Sequence, residues 1–519
     1  MPARRKTRIL LWSLLALLVA GAIGFVWLRT LPAPLESWLQ DRVLLALREH
    51  YHGDVQLQNL HVTLIPTFRA TADNFVLPNR GGPDLPSFIL VKHLTAETGF
   101  LELLRSPIHL TWLKLDGLEI RVAPKRGGTP GNNNKSKRHM HLANFVIDKV
   151  DADGAELYIL RKDPAKEPMQ FDIRKLTLRS AGVGQPMTFQ AELTNPTPPG
   201  LIATTGRFGP WNFDQPSATN VGGHYDFQHA DLSVFNGISG ILSSTGDYTG
   251  TLHNIVVDGR TDTPDFELDR SGQAVHLTTQ FHAVVDGTNG NTYLQPVNAH
   301  FLNSNITVVQ GEIAGKAGQK GKTIALDVDA HEARVEDFLT LAAKSDPPML
   351  TGHIKLEAAV VIPPGSEPVL QKLLVNGQFD ISDAKFTNDT VKKVIAELSR
   401  RGQGKPNDTS IEDVPAEFLG DFQLLKSDLH FSKLQFVVPG VAARMNGSYG
   451  LHTQQLDFVG DVSLNARVSQ MVTGAGRWIL LPFDLIFMKH GAGTYVPLSI
   501  SGTRSQPQIK VNWKKLFQN

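Results

Sequence analysis

The stretch that decides the fold reads HIKLEAAVVIPPGSEPVLQKLLVNGQFDI and covers residues 353–381. In residues 353–362, apolar side chains from Ile354 to Ile362 stand at every second position. Residues 372–381 repeat this alternation after a break rich in proline. Because successive side chains of a strand point to opposite faces, the spacing predicts two strands, each with one apolar and one polar face.

The same alternation recurs along most of the chain from residue 55 onward. It is clear at residues 456–468, and similar strands can be read at residues 277–285, 324–330 and 509–513. Clusters of Gly, Asn, Asp or Pro separate these segments, and no run alternates strand with helix. Successive short strands joined by tight turns form antiparallel meanders, so the chain is predicted to be mainly β.

Composition excludes several classes of protein. The 519 residues are 41% hydrophobic and 19% charged, with 45 Gly and 31 Pro, which suits about two to four domain-sized units with many turns. No cysteine is present, so the chain has no disulfide, thiolate nucleophile or thiolate zinc site. The 51 basic residues balance 50 acidic ones, which argues against a dedicated nucleic-acid binder.

The N-terminus carries the signal of a membrane anchor. Arg4, Arg5, Lys6 and Arg8 precede residues 9–28, a run of uncharged residues long enough to cross a bilayer core of about 30 Å. The basic flank places the N-terminus in the cytoplasm and exports everything after Arg29. We predict an uncleaved signal anchor, with a cleaved signal peptide as the alternative.

Three segments interrupt the strand pattern with helical or compact apolar character. Residues 35–49 show helical spacing and are predicted to pack on the sheet, or alternatively to lie in the membrane interface. Residues 388–400 show helical spacing as well. Residues 478–488 form an apolar run too short to cross a bilayer, which is predicted to cap one end of the sheet or to touch the membrane.

The polar, glycine-rich residues 124–140 are predicted to be a flexible loop, and they suggest how the chain is divided. The predicted organisation is a cytoplasmic flank (1–8), the anchor (9–28), an N-terminal region (30–123), the loop (124–140), a central β region (141–386) and a C-terminal region (387–519).

Searches for catalytic and metal-binding motifs give only weak resemblances. Gly315, Gly321 and Lys322 resemble a phosphate-binding loop, but the spacing is wrong and a strand follows where a helix is needed, so a hairpin turn is predicted. Asp148 to Gly154 resembles the start of a calcium loop without its closing glutamate, and we interpret it as a turn leading into Leu157.

The 18 histidines do not form a recognisable site. Most occupy the polar phase of strands, as His276 and His282 do, which predicts surface positions. Neither a metalloprotease helix motif nor a nucleophile elbow occurs, and the carboxylates are scattered singly. We therefore predict no enzyme activity, no catalytic or metal-binding residue and no cofactor.

Several segments resemble the AsmA-like proteins of Gram-negative envelopes. The resemblance begins with the anchor, the helix after it and residues 55–68, and continues through LELLRSP at 101–107 and LDGLEI at 115–120. At the other end, VPLSISGTRSQP at 496–507, followed by Ile509, Val511 and Trp513, is similar to the closing hairpin of that family, with Gly502 and Pro507 framing a turn. These segments cover about 150 residues.

The resemblance implies a single-pass protein of the bacterial inner membrane with most of its chain in the periplasm. It also implies a chorein-type N-terminal region, as in bridge-like lipid-transfer proteins, and a role in outer-membrane homeostasis and phospholipid movement. Membrane phospholipid is the expected partner, together with the inner membrane through residues 9–28. Outer-membrane or envelope proteins are further candidate partners, and nucleic acid is not.

A sheet with one apolar face must hide that face, either beneath a second sheet or by curling into a trough. Exposing one acyl chain of about sixteen carbons to water costs about 13 kcal/mol. A trough that shields the chain would lower this cost. We predict an N-terminal transmembrane helix followed by an elongated, curled, groove-like antiparallel sheet with a few short amphipathic helices. The predicted lipid-contact residues are Ile354, Leu356, Val375, Phe379, Phe458, Val462 and Leu464.

Two other classes remain open from the sequence. A non-enzymatic scaffold or assembly factor for outer-membrane proteins would have the same strands around a closed core and would bind clients by sheet edges or surface patches. An envelope glycan hydrolase would need two carboxylates converging in a cleft.

Overall fold

The computed structural model describes residues 41, 55–63, 67–78, 86–99, 102, 108–122, 145–160, 168–182, 186–210, 212, 215–269, 273–315, 321–342, 347–410, 412–471 and 493–512. The predicted anchor at 9–28, the loop at 124–140 and the apolar run at 478–488 lie outside the described residues. So does the segment 35–49 except for Asp41, which is helical and exposed.

Strands dominate the described residues. The first nine strands are β1 Gln56–Thr63, β2 Phe68–Leu77, β3 Ile89–Thr98, β4 Ile108–Leu110, β5 Trp112–Val122, β6 Phe145–Ile159, β7 Met169–Gly182, β8 Met187–Pro196 and β9 Pro199–Phe208. The next eight are β10 Asn220–Asp231, β11 Ile238–Ser239, β12 Ile241–Thr251, β13 Asn254–Leu268, β14 Val275–Asp286, β15 Asn291–Phe301, β16 Ser304–Ala314 and β17 Thr323–Arg334. The last eight are β18 Leu350–Ile362, β19 Leu374–Phe386, β20 Ala416–Leu425, β21 Asp428–Val438, β22 Val441–Gly450, β23 Gln455–Leu464, β24 Thr494–Thr503 and β25 Gln506–Val511.

The helices of the described residues are short. They are α1 Val335–Ala342, α2 Val369–Lys372 and α3 Asp389–Gly402, with 3-10 turns at Pro216–Ala218, Leu232–Val234 and Val468–Gln470. Asn388 caps α3 because its side-chain oxygen accepts hydrogen bonds from the backbone N–H groups of Thr390 and Val391. The predicted helix at 388–400 is thereby confirmed with closely matching ends.

The strands form one open sheet in which sequence neighbours pair almost throughout. From β12 to β25 each strand pairs antiparallel with the next. The mainly β, antiparallel fold class is confirmed. The exception is β6, which runs parallel to β4 and β5.

The strands predicted at 277–285, 324–330 and 353–362 are confirmed as parts of β14, β17 and β18. The strand predicted at 372–381 is confirmed from Leu374 onward as part of β19, but Lys372 belongs to α2. The hairpin with its turn between Gly502 and Pro507 is confirmed by their pairing in β24 and β25. The predicted strand at 456–468 is too long. β23 ends at Leu464, and the chain then turns so that Ala466 is buried and its N–H reaches the carbonyl of Gly402.

The turn predicted around Asp148 and Gly154 is wrong, because these residues lie inside the continuous strand β6. Gly154 has a φ of 65°, as does Gly117 of the adjacent strand β5. Both lie where the pairing of β5 with β6 is interrupted without a change of register, between the pairs Asp116–Asp153 and Glu119–Glu156. Glycine tolerates this backbone, so the glycine signals an irregularity within two long strands instead of a chain reversal.

Two distant parts of the sheet meet through loops at the ends of their strands. We call the strand end that carries α1 and α3 the helix end and the other the opposite end. The loop after β10, at the helix end, meets the loop between β18 and β19, at the opposite end. The N–H of Val369 donates to the carbonyl of Asn236 at 2.9 Å, and the Asn236 side chain donates to the carbonyl of Ser366 at 2.7 Å. β12 and β18 are six strand spacings apart, about 29 Å in a flat sheet, so the sheet bends back on itself.

The contact between the loops at Asn236 and Ser366 can be tested by cross-linking, because the chain has no native cysteine. We expect Asn236→Cys combined with Ser366→Cys to be joined within one chain by a short bismaleimide. The modification is read by gel mobility and by mass spectrometry of the linked peptides.

The matched control keeps Asn236→Cys and replaces Thr453, at the opposite end between β22 and β23. This position is four strands beyond β19, about 19 Å along the sheet, so the same reagent should leave the pair unlinked. Equal linking of both pairs, or none of the first, would contradict the curvature.

Candidate functional site

The seven predicted lipid-contact residues lie on one face of the sheet, which we call the inner face. Ile354 pairs with Ile381 and Leu356 pairs with Phe379 across β18 and β19, while Phe458, Val462 and Leu464 follow the same alternation in β23. The intervening strands contribute further apolar residues in the same rows. The structure therefore brings all seven into a continuous surface, with β19 and β23 about 19 Å apart.

Phenylalanine side chains lie side by side at the centre of this surface. The ring centroids of Phe379 and Phe422 are 6.0 Å apart, those of Phe379 and Phe431 are 6.4 Å apart, and those of Phe431 and Phe458 are 6.0 Å apart. These spacings suit edge-on and tilted aromatic contacts. Phe422 and Phe431 were not predicted from the sequence, although their positions follow the alternation of β20 and β21.

Glycines on the inner face make room for these rings. Gly420 pairs with Phe379, and a Cβ at Gly420 would lie 2.7 Å from that ring. Gly447 lies between Phe431 and Phe458 on the strand that separates them, and its φ is 155°. The aromatic rings of neighbouring strands can thus reach each other across a residue with no side chain.

The inner face is only partly withdrawn from solvent. Ile354 and Phe458 are buried, at 8% and 7% exposure, whereas Leu356, Val375, Phe379, Val462 and Leu464 keep intermediate exposure. Among the described residues, the largest side chains with under 2% exposure are valines. Two sheets packed face to face would bury large inward residues, so this face is not sealed by a second layer along its length.

Helices cover the inner face at the helix end. Phe338 and Leu339 of α1, and Ile395 and Leu398 of α3, pack against a core that includes Ile354, Ile381, Ala384, Ala416 and Val438. Five of the seven predicted residues, Ile354, Leu356, Phe379, Val462 and Leu464, belong to this core or contact it. Val375 and Phe458 lie outside it, toward the opposite end, where Val375 keeps intermediate exposure and Phe458 is buried.

Helix α1 was not predicted from the sequence. Its residues Val335, Phe338 and Leu339 are spaced as an amphipathic helix, a signal that was present but short. It contacts β13, β17 and β18, which belong to a stretch of six neighbouring strands. An eight-residue helix is about 12 Å long, so it touches strands this far apart because the inner face is concave around it.

Asp337 fixes α1 to the sheet. Its carboxylate is 3% exposed and accepts hydrogen bonds from the backbone N–H of Asn303 and from the hydroxyl of Ser304, at 2.9 and 2.7 Å. Beside it the rings of Phe338 and Phe301 meet edge to face with centroids 5.6 Å apart. The buried carboxylate is thus satisfied by the turn between β15 and β16.

The inner face changes character between β9 and β14. Hydroxyl pairs lie among the apolar side chains here: Thr204 with Tyr248 at 2.7 Å, Tyr225 with Ser244 at 3.0 Å and Thr261 with Thr279 at 2.7 Å. Burial raises the pKa of both Tyr225 and Tyr248, so both stay protonated donors at neutral pH. This part of the face is lined by neutral hydrogen-bonded groups.

The outer face, opposite the inner one, carries the charged side chains. His276 and His282 lie there as predicted, 61% and 40% exposed, each beside an aspartate of β13. The hydrogen bond from His93 lowers the pKa of Asp73, and that from Lys385 lowers the pKa of Asp413. No cluster of three potential metal ligands occurs among the residues that the structure describes.

No family model, curated protein or solved structure matches the chain. Within the described residues, no helix combines the length and hydropathy that a membrane crossing requires. The AsmA-like resemblance, the anchor and the proposed division into regions therefore remain predictions from the sequence.

The attachment of α1 can be tested with a matched pair of substitutions. Asp337→Ala removes two hydrogen bonds to a buried carboxylate and should lower the free energy of unfolding by about 2 kcal/mol. Asp389→Ala also removes an aspartate from the first turn of a helix, but at an 88% exposed side chain, and should cost less than about 1 kcal/mol. Urea unfolding measures both, and equal losses would show that Asp337 does not anchor α1.

Proposed function

We propose that this chain is an AsmA-like, membrane-anchored periplasmic protein that supports outer-membrane homeostasis by shielding phospholipid acyl chains along the inner face. One observation carries the proposal: an apolar face continuous over β17 to β24 keeps most of its large side chains partly exposed. Ordinary core residues would be covered. A surface made to hold a removable hydrocarbon would have this intermediate burial.

The curvature of the sheet supports a groove. The inner face is concave around α1, and the contact between Asn236 and Ser366 brings together parts of the sheet that lie six strand spacings apart. A curled trough encloses a chain on three sides without closing over it. We therefore propose the elongated, groove-like form of the sheet as the functional shape.

The dimensions fit an acyl chain. β18 and β19 each have 13 residues, about 43 Å at 3.3 Å per residue, which exceeds the length of a sixteen-carbon chain. Withdrawing such a chain from water is worth about 13 kcal/mol, so even partial shielding speeds its passage through an aqueous space. No catalytic group is needed for this work.

The membrane placement in the proposal rests on the sequence. Residues 9–28 with their basic flank would hold the protein in the inner membrane and leave the sheet in the periplasm. Phospholipid of that membrane is the proposed cargo. Outer-membrane or envelope proteins are proposed partners at the far end of the sheet.

The scaffold alternative is favoured by one feature, the C-terminal edge strand β25. All six of its residues are exposed, and Ile509 and Val511 are 67% and 37% exposed. An exposed edge can accept a further strand from another protein. A protein that gathers clients at this edge would need no open groove. No specific observation favours the glycan hydrolase.

Charge placed on the open part of the inner face should block lipid. We expect Val375→Asp to reduce the phospholipid that co-purifies with the full-length protein several-fold, because a carboxylate in the trough is costly to desolvate beside an acyl chain. Phospholipid is quantified by mass spectrometry after detergent extraction.

The matched control is Asn376→Asp, the adjacent residue of β19, which is exposed on the outer face. It introduces the same carboxylate and should leave bound lipid unchanged. Circular dichroism and urea unfolding verify that both variants fold. Equal lipid in folded Val375→Asp and the wild type, or lipid-free wild type, would refute the groove and favour the scaffold.

A further inference from the structure

A broad polar depression lies on the outer face, away from the groove. Its volume is about 830 Å³, within the range of ligand sites, and it spans β10 to β16. A second depression of about 530 Å³ adjoins it and shares Thr245, Arg260, Gln280 and Asn298. The two form one recess, which we call the polar recess.

The polar recess is built from side chains that stand in register across six strands. Asp226, Thr245, Arg260, Gln280, Asn298 and Thr307 form one row, in which each residue pairs with the next. Parallel rows flank it, one of which contains His224, Asp247, Asp258 and His282. The rows therefore present hydrogen-bonding groups along an extended line of about 24 Å.

Irregularities in the strands accompany the recess. The register shifts between Phe227 and Ala230, between Thr263 and Phe266, between Phe281 and Ala283, and between Val308 and Gln310. His229, within the first of these, has a φ of 57°. Bulges bend strands and redirect side chains, and they are enriched beside functional sites.

Most polar groups of the recess already have partners, but two central ones do not. Asp247, Asp258 and Asp262 each contact a histidine at 2.9, 2.7 and 2.5 Å. Arg260 and Gln280 are neighbours in the central row, and their side chains make no hydrogen bond or ion pair with the described residues. A planar cation and a planar amide are thus free for a ligand.

The charges of the recess limit the ligand class. Four aspartates, Asp226, Asp247, Asp258 and Asp262, and one arginine line it. Carboxylates repel phosphate and carboxylate groups, and the charged side chains of the recess would lose hydration against an acyl chain. A ligand with many hydroxyl groups can donate to the carboxylates while its carbonyl oxygens accept from Arg260, Gln280 and Asn298.

We infer that the polar recess binds a neutral oligosaccharide that carries acetamido groups, with Arg260 and Gln280 as its central contacts. The extended row suits a linear glycan of a few units. The site is open and its described lining residues include neither tryptophan nor tyrosine, so binding is weak and is directed by hydrogen bonds. This inference is independent of the lipid groove.

The test is calorimetric titration of the full-length protein, held in a detergent without a sugar headgroup, with chitotetraose as the probe. We expect saturable binding, and Arg260→Ala and Gln280→Ala should each raise the dissociation constant about tenfold. Maltotetraose lacks acetamido groups and should bind more weakly, and glucose 6-phosphate should not compete.

The matched control is Lys355→Ala, which removes an exposed cation from the outer face of β18 outside the recess. It should leave chitotetraose binding unchanged. Absence of saturable binding, the same affinity in folded Arg260→Ala, or preferred binding of glucose 6-phosphate would each overturn the inference. Bound phospholipid should be unaltered in all variants, which separates this test from that of the groove.

Discussion

The rest of the structure depends on one constraint: a sheet with a single apolar face has to keep that face from water, and the described residues contain no second sheet to cover it. Each methylene left exposed costs about 0.8 kcal/mol, so an uncovered flat sheet of this size would associate with other molecules. Three features reduce that cost here. The sheet curves around α1, α1 and α3 cover its helix end, and phenylalanine rings lie against neighbours such as Gly420.

These features leave the apolar face covered by helices at one end and partly exposed toward the other. At the helix end, Ala384 and Ala416 are fully buried, α3 contacts β19 and β22, and Asp337 fixes α1 to the sheet through two hydrogen bonds. Toward the opposite end, Val375 keeps intermediate exposure. An inner face that is covered at one end and accessible at the other is compatible with a carrier that takes up hydrocarbon and holds it reversibly. In a purely structural core, partly exposed apolar side chains would only lower the stability of the fold.

The two faces of the sheet are chemically separate because strand alternation never lets a residue serve both. The inner face supports the proposed lipid groove, and the outer face contains the polar recess around Arg260 and Gln280. A protein in the cell envelope that met lipid on one face and glycan on the other would use a single layer of backbone for two kinds of recognition. The bulges that bend the strands shape both surfaces at once.

The sequence by itself determined the strands and their faces. The period of two placed Ile354, Leu356 and Phe379 on one face before any fold was known, because alternation is a local property of extended backbone. It misjudged Gly154, since glycine permits a bulge as readily as a turn. Only the tertiary structure decided that α1 covers one end, that Asn236 meets Ser366 across six strand spacings, and that Arg260 and Gln280 stand side by side. Curvature and contacts between distant strands depend on the summed twist and bulges of many strands, which no short stretch of sequence encodes.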